Sequence, residues 1–406
     1  MSISQNFPST RPSLNLNFAR SQKLDPRITF TRSSTATYTG GDGLIKIAAT
    51  DTPRFDFNAT TGDCLGLLIE ESRTNLITYS GIPSATWGIN SSAVITYNSS
   101  TSPDGTTNVT QIAAAASIGS GVYQTFSLTS GTAYTYSLFV KAVSGSNTMY
   151  FGTVTGTNAT VQVNTSTGVA SLNSGSPTNI TSTSYPNGWY RISFTFTAGV
   201  TATHSFVIYN LTANANTWLA YGAQVEAGAF PTSYIPTVAS TVTRSADNAS
   251  ITGTNFSSWY NPSEGTLFAQ FKSELSINNN IWSINNYPAT TFAIITNYFR
   301  LLTLSNVIHT QYNVGGTNLY PQFSLANNNS QKVTQSYNIN SSPIISALNG
   351  TIGTGSGNIY ATSPGFNQLE FGKNTDQRTT IGKYTIAQLS YYPVRLSNSQ
   401  LQTLTK

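Results

Sequence analysis

The chain has 406 residues, only 8% of them charged, and a formal net charge of +5. About a quarter of a typical soluble domain is charged; here Asn, Ser, Thr and 31 Gly fill that share, beside 22 Tyr and 20 Phe. The aromatics exclude a disordered chain, the scattered Lys and Arg without a basic run argue against nucleic-acid binding, and no apolar run reaches the roughly 18 residues that span a bilayer.

The length allows two or three domains. Thr, Val, Ile, Tyr and Phe suit pleated, half-buried surfaces, and Gly, Asn and Ser supply turns, so the composition is all-β. Cys64 is the single cysteine, which excludes an intrachain disulfide, and its apolar neighbours predict a buried, inert thiol. The start has no basic stretch followed by an apolar core, so no secretion leader is expected.

Residues 1–78 are expected to form a first unit. MSISQNFPSTRPS is polar and Pro-containing and reads as a docking arm. LNLNFA and ITFTRSSTATY alternate with period two, the mark of strands, and Gly40-Gly41-Asp42-Gly43 reads as a turn before LIKIAA. LGLLIEESRTNLITY (Leu65 to Tyr79) sets Glu70, Glu71 and Arg73 between two apolar stretches. Adjacent Glu70 and Glu71 point to opposite faces of a strand and cannot serve one site together. A buried network of Arg54, Glu70, Glu71 and Arg73 is the preferred reading, ahead of catalysis.

Residues 79–240 carry frequent strand signals: VYQTFSL, TAYTYSLFVKA, TMYFGTV, ATVQVN, WYRISFTFTA, THSFVIYNL and WLAYGAQVEA. Their spacing is that of a β-sandwich. The alternation in YTYSLFVKA and RISFTFTA predicts one packed and one wet face. Trp189 and Trp218 fall on strands as core residues, whereas Trp87, in a Gly- and Ser-rich loop, is expected to be exposed. The stretch from Pro231 to Ile251 reads as an extended connector, held by Arg244 and Asp247.

Residues 246–406 form a third strand-rich unit. GTLFAQFK, NIWSINN, TFAIITN, FRLLTLS, VIHTQYNV, KVTQSYN and LEFGKN read as short strands, and GTIGTGSG as a hairpin turn. The end, TIGKYTIAQLSYYPVRLSNSQLQTLT, reads as a last strand and a short helix, with Ser397 as N-cap and Leu396, Leu401 and Leu404 facing inward.

Signals for catalysis are weak throughout. His204 and His309 lie in different units on alternating strands, with no Gly-x-Ser-x-Gly elbow and no third ligand for zinc. Glycoside hydrolysis needs two carboxylates facing one cleft, and the acids of the third unit (Asp247, Glu264, Glu274, Glu370 and Asp376) are spread along the chain. No enzyme, cofactor or metal is expected. Sugars are held by aromatic faces with amides and hydroxyls, and the candidate carbohydrate contacts are Trp87, Trp282, Tyr287, Tyr298, Arg300 and Tyr312, with Asn285 and Asn286 beside them.

PRITFTRSSTATY (Pro26 to Tyr38), PRFDF (Pro53 to Phe57), LGLLIEESRTNLITY and GAQVEAGAFPTSYIP (Gly222 to Pro236), in this order, resemble a module of bacteriophage appendage proteins: tail fibres, minor tail proteins and head spikes. TNLITYS followed by Trp87, NGWYRISFTFTA and AYGAQVEAG resemble carbohydrate-binding jelly rolls. The calcium-binding acids of such modules are missing from SGIPSA and AYGAQ. GTLFAQF, ALNG, LEFGKN and the closing strand with its helix resemble a concanavalin A-like, or laminin G-like, sandwich. The resemblance implies tandem β-sandwiches behind a small N-terminal docking unit, on a virion surface. It also implies a homo-oligomer, a trimer by analogy with fibres, whose partners are other virion proteins and host surface glycan, with neither nucleic acid nor membrane as partner. A purely structural head decoration and a polysaccharide depolymerase stay open as alternatives. Removal of residues 1–78 is expected to abolish incorporation into particles and leave soluble sandwiches.

Overall fold

Period-two alternation builds four large antiparallel sheets, which pack face to face as two sandwiches. The structure is a computed structural model that describes residues 7–82, 86–273, 279–286, 297–304, 307–314, 317–319, 322–324, 330–340, 344–354, 365–373 and 382–406. The expected strand TFAIITN lies almost wholly outside these residues.

The central sandwich consists of two six-stranded sheets. One runs Thr178–Tyr185, Trp189–Thr197, Ala133–Gly145, Asn216–Ala227, Thr110–Ala114 and Val94–Thr96; the other runs Ala170–Gly175, Ala159–Asn164, Thr148–Thr153, Ala202–Tyr209, Gly121–Leu128 and Gly88–Asn90. We call them sheets I and II. Alternate residues of both fill the core between them: Tyr136, Leu138 and Val140 from sheet I meet Met149, Phe151, Phe206 and Ile208 from sheet II. Trp189 and Trp218 are buried, as expected.

The C-terminal sandwich does not stand on residues 246–406 alone. Its sheet III orders Thr351–Thr354, Ile345–Leu348, Gln331–Asn338, Glu264–Ser273, Lys383–Tyr392, Cys64–Glu70 and Arg54–Phe57, with Leu14–Asn17 also paired to Lys383–Tyr392. Sheet IV begins with Thr29–Thr31, paired to Asn248–Thr252. Four strands from the first 70 residues are therefore built into this sandwich. The N-terminal stretch is not a separate unit. Its apolar alternation has no core of its own, and Leu14, Leu16, Phe18, Leu67 and Ile69 are spent in the shared core with Phe271, Trp282 and Tyr391.

The C-terminal helix spans Asn398–Thr405 and opens with the expected cap. The Ser397 hydroxyl accepts from the Gln400 amide while the Gln400 side chain accepts from the Ser397 amide. Leu401 and Leu396 are buried against Phe268 and Tyr392, with Leu404 packed beside them, so the helix covers part of the outer face of sheet III. GTIGTGSG is not itself the turn: Asn349 and Gly350, both at positive φ, turn the hairpin between Ile345–Leu348 and Thr351–Thr354, so Thr351 to Thr354 of that segment form a strand, and its last three residues lie outside the described ones. Cys64 is partly exposed rather than buried, and its surroundings push the thiol pKa up.

Candidate functional site

The two outer faces of the central sandwich differ. On sheet I, Phe139, Trp189, Leu219 and Tyr221 point away from the core, and Ile45, Val109 and Tyr234 pack onto them. Ile45 comes from the hairpin Ala36–Thr39/Ile45–Ala48, and Tyr234 from the connector. The hydroxyl of Tyr221 donates to Asp104 at 2.7 Å, and Thr37 donates to the Tyr234 carbonyl. The face that alternation predicted to be wet is covered here, because the hairpin and the connector lie on it.

The outer face of sheet II carries no such cover among the described residues. In Gly121–Leu128, Val122 and Leu128 turn inward, which leaves Tyr123 and Thr125 outward. In Ala202–Tyr209, Phe206 and Ile208 turn inward, leaving Ser205, Val207 and Tyr209 outward; in Thr148–Thr153 the same parity leaves Tyr150 outward. Register sets these residues side by side: Tyr123 opposite Val207, and Tyr150 opposite Tyr209, their rings 5.9 Å apart. Tyr123 is 41% exposed. It pairs with Gly88, and a Cβ at Gly88 would collide with its ring, so the ring lies across the bare backbone of the edge strand. Between Tyr123 and Tyr209 lies a depression of about 260 Å³, edged by Asn90, Thr125, Thr155 and Ser205, with Tyr150 buried beside Tyr209. Aromatic faces flanked by hydroxyls and an amide are chemistry that holds a sugar ring, through C–H contact on one side and hydrogen bonds at the edge.

The sequence candidates are distributed differently from expectation. Trp87 is not exposed. It plugs the end of the central sandwich, edge-on to Phe206 at 5.9 Å, and its indole N–H donates to the Tyr79 carbonyl. Trp282 and Tyr312 are also core residues, both packed edge-on against Phe299 on the inner face of sheet IV. No ring face of these three is open to a ligand, because each supplies apolar bulk that a sandwich core needs. Tyr298 and Arg300 do share the outer face of sheet IV. The guanidinium lies 4.2 Å over the Tyr298 ring and its Nε–H donates to Gln311 at 2.7 Å, but Tyr298 is buried. Asn285 is buried and bonded to Glu370. Tyr287 lies outside the described residues. His204 and His309 are packed strand residues, as expected, and His204 Nε2 accepts from the Thr157 amide.

Tyr123 and Tyr209 were missed by sequence reasoning although the signal was present. Each sits one position out of phase with the inward Val, Phe and Ile of its own strand. Period two alone assigns it to the opposite face.

The motifs around Glu70 and Glu226 form a structural junction. The Glu70 carboxylate receives Arg54 at 2.7 Å, the Ser233 amide at 2.8 Å and the Ser233 hydroxyl at 2.7 Å. Arg54 also pairs with Asp247, which pairs with Arg32 at 3.1 Å, and Arg244 lies 3.6 Å from Glu70. All five side chains are buried. Glu71 points the other way, to Arg73 and the Gly382 amide. Asn75 joins the two sandwich-linking segments, donating to Ala223 and Ile235 carbonyls and accepting from the Ile77 and Val225 amides. Of the expected network of Arg54, Glu70, Glu71 and Arg73, Arg54 and Glu70 lock together with Asp247, Arg32 and Arg244, whereas Glu71 and Arg73 form a separate pair; Arg244 and Asp247 tie down the connector.

No protein-family model matches the chain, and no curated protein matches its sequence. Among solved structures, the CBM40 of the Ruminococcus gnavus IT-sialidase, bound to α2,3-sialyllactose, is 14% identical over 36% of this chain and 83% of its own, with a TM-score of 0.31. The receptor-binding domain of the botulinum neurotoxin C/D mosaic serotype is 14% identical over 38% of each chain, with a TM-score of 0.30. Likeness this slight fixes neither the fold nor the ligand.

Proposed function

We propose that this chain is a bacteriophage virion appendage that binds carbohydrate on the host surface through the open face of sheet II. The observation that supports the binding site is the asymmetry of the central sandwich. One outer face is covered by the chain's own hairpin and connector, and the other presents Tyr123 and Tyr209 around a depression edged by Asn90, Thr125, Thr155 and Ser205. A shallow, hydroxyl-edged aromatic face binds weakly, and repetition on one particle raises avidity without any new contact. The virion setting rests on the ordered motifs from Pro26 to Pro236 and on the low charge of the chain. A trimer follows only from the likeness of those motifs to fibre proteins. The reading is one of binding rather than hydrolysis, since among the described residues no second carboxylate accompanies Asp56 along the cleft of about 530 Å³ at the junction of the sandwiches.

The test is binding of the full chain to purified host-surface polysaccharide, with the polymer sized before and after. Tyr123→Ala and Tyr209→Ala are each expected to weaken binding about tenfold, or ~1.4 kcal/mol. Unchanged binding in both variants would remove the site from the open face. Shortened polymer would make the protein a depolymerase. No binding, with antibody to residues 246–406 labelling particles, would leave a structural decoration.

A further inference from the structure

A second recess lies where the two sandwiches meet the strand Arg54–Phe57. It is a cleft of about 530 Å³, within the size range of pockets that enclose small ligands. Its walls come from four stretches far apart in sequence: residues 56–61, residues 181–193, residues 272–273 and residues 383–385. At one end it continues into a recess of about 50 Å³ that shares Thr39, Asp56, Tyr185, Arg191 and Lys383.

The lining is unlike that of the open face. Hydroxyls of Thr60, Thr181, Ser182 and Thr183 line one side, and Tyr185 and Phe57 give limited ring surface. Three cations, Arg191, Lys272 and Lys383, stand against one carboxylate, Asp56. The Lys383 ammonium is anchored by the Pro231 carbonyl at 3.1 Å. Arg191 lies 5.4 Å over the Phe139 ring and spends one N–H on the Ser137 hydroxyl at 3.1 Å, while its Nε is buried with no hydrogen-bond partner. A guanidinium anchored beside an aromatic ring, with an unmet donor, is preorganised for a planar anion. The Asp56 carboxylate is already engaged by the Thr39 amide at 2.8 Å.

We propose that this cleft is a second saccharide site, selective for sugars that carry a carboxylate. The carboxylate meets Arg191, Lys272 adds positive charge from the same cleft, and the hydroxyl wall takes the ring. This site is separate from the open face of sheet II and does not depend on it.

The experiment is calorimetric titration of the full chain with two matched pairs: tetragalacturonate against its methyl ester, and sialyllactose against lactose. At least one carboxylated glycan is expected to bind tenfold or more tighter than its neutral counterpart, and added salt is expected to narrow that gap. Arg191→Gln should abolish the preference. Lys272→Gln, on an exposed side chain that folding does not need, should reduce it about threefold, and Tyr123→Ala should leave it intact. The proposal is overturned if neither carboxylated glycan outbinds its partner, or if the preference survives both cleft substitutions. Loss of the preference in Tyr123→Ala would move the anion to the open face and equally overturn it.

Discussion

Glu70 shows how one residue gathers the chain. It lies in a buried group of three arginines, Arg32, Arg54 and Arg244, and two carboxylates, Glu70 and Asp247. Such a group contributes little net stability when complete, because desolvation opposes attraction, but breaking it strands buried charge. Glu70→Gln is therefore expected to destabilise the chain by about 3–5 kcal/mol in chemical denaturation at neutral pH. The pH dependence has a definite sign. Burial alone would raise the Glu70 pKa; Arg244, Arg54, Lys383 and the Ser233 hydroxyl outweigh it and hold the carboxyl well below its ordinary 4.5. The unfolded chain then binds the extra proton, so Glu70's contribution is complete above 4.5 and is lost as pH falls through the folded value. Asp56 acts in the opposite sense: burial raises its pKa above 3.8, so its share of stability declines as pH rises through that window. The wild-type unfolding midpoint should drop steeply on the acid side, and Glu70→Gln should start lower and drop less. Equal acid slopes in the two proteins would show that Glu70 does not govern that limb.

At the scale of elements, Gly66 is the position where local geometry and sheet pairing meet. The strand Cys64–Glu70 bulges against Arg54–Phe57, with Gly66 at φ +108. A Cβ there would run into the Ile386 carbonyl of the neighbouring strand, which cannot move without opening sheet III. Gly131, at φ +77 in a turn, has open space where its Cβ would be. Gly66→Ala is expected to cost on the order of 3 kcal/mol, and Gly131→Ala about 1 kcal/mol from backbone strain alone. Urea midpoints compare the two, and equal losses would mean that the close approach at Gly66 is relieved by small shifts. The strands themselves were legible, because YTYSLFVKA and RISFTFTA carry the inward parity of Tyr136, Leu138, Phe194 and Phe196. The same parity held Tyr123 and Tyr209. Parity does not tell which outward tyrosine stays uncovered, and a Trp such as Trp87 in a polar loop can still be the plug of a core. What no local pattern encodes is which outer face another segment covers. Phe139 and Tyr221 read as wet until the hairpin at Ile45 and the connector at Tyr234 are placed on them.

At the scale of the whole molecule, the chain begins and closes in the same sandwich. Leu14–Asn17 pairs with Lys383–Tyr392, and the central sandwich is inserted between Glu70 and Asp247, whose mutual contacts seal the point of insertion. This long-range pairing was invisible in the sequence, where LNLNFA and LGLLIE look like strands of a small first domain. The consequence for truncation is definite. Removing residues 1–78 takes four strands from the C-terminal sandwich, uncovers Phe271, Trp282 and Tyr391, and leaves Asp247 without Arg32 and Arg54. That protein is expected to be insoluble, contrary to a free-standing docking unit. Removing residues 1–12 spares every described strand, since the first of these begins at Leu14 and Ser13 already bonds the Trp259 carbonyl at 2.8 Å. If the polar arm docks the protein to its particle, this shorter truncation should stay soluble, keep its unfolding midpoint within a few degrees, and be missing from assembled virions. Virions that still carry it would place docking elsewhere. A soluble, cooperatively unfolding protein lacking residues 1–78 would mean that the C-terminal sandwich closes without its borrowed strands.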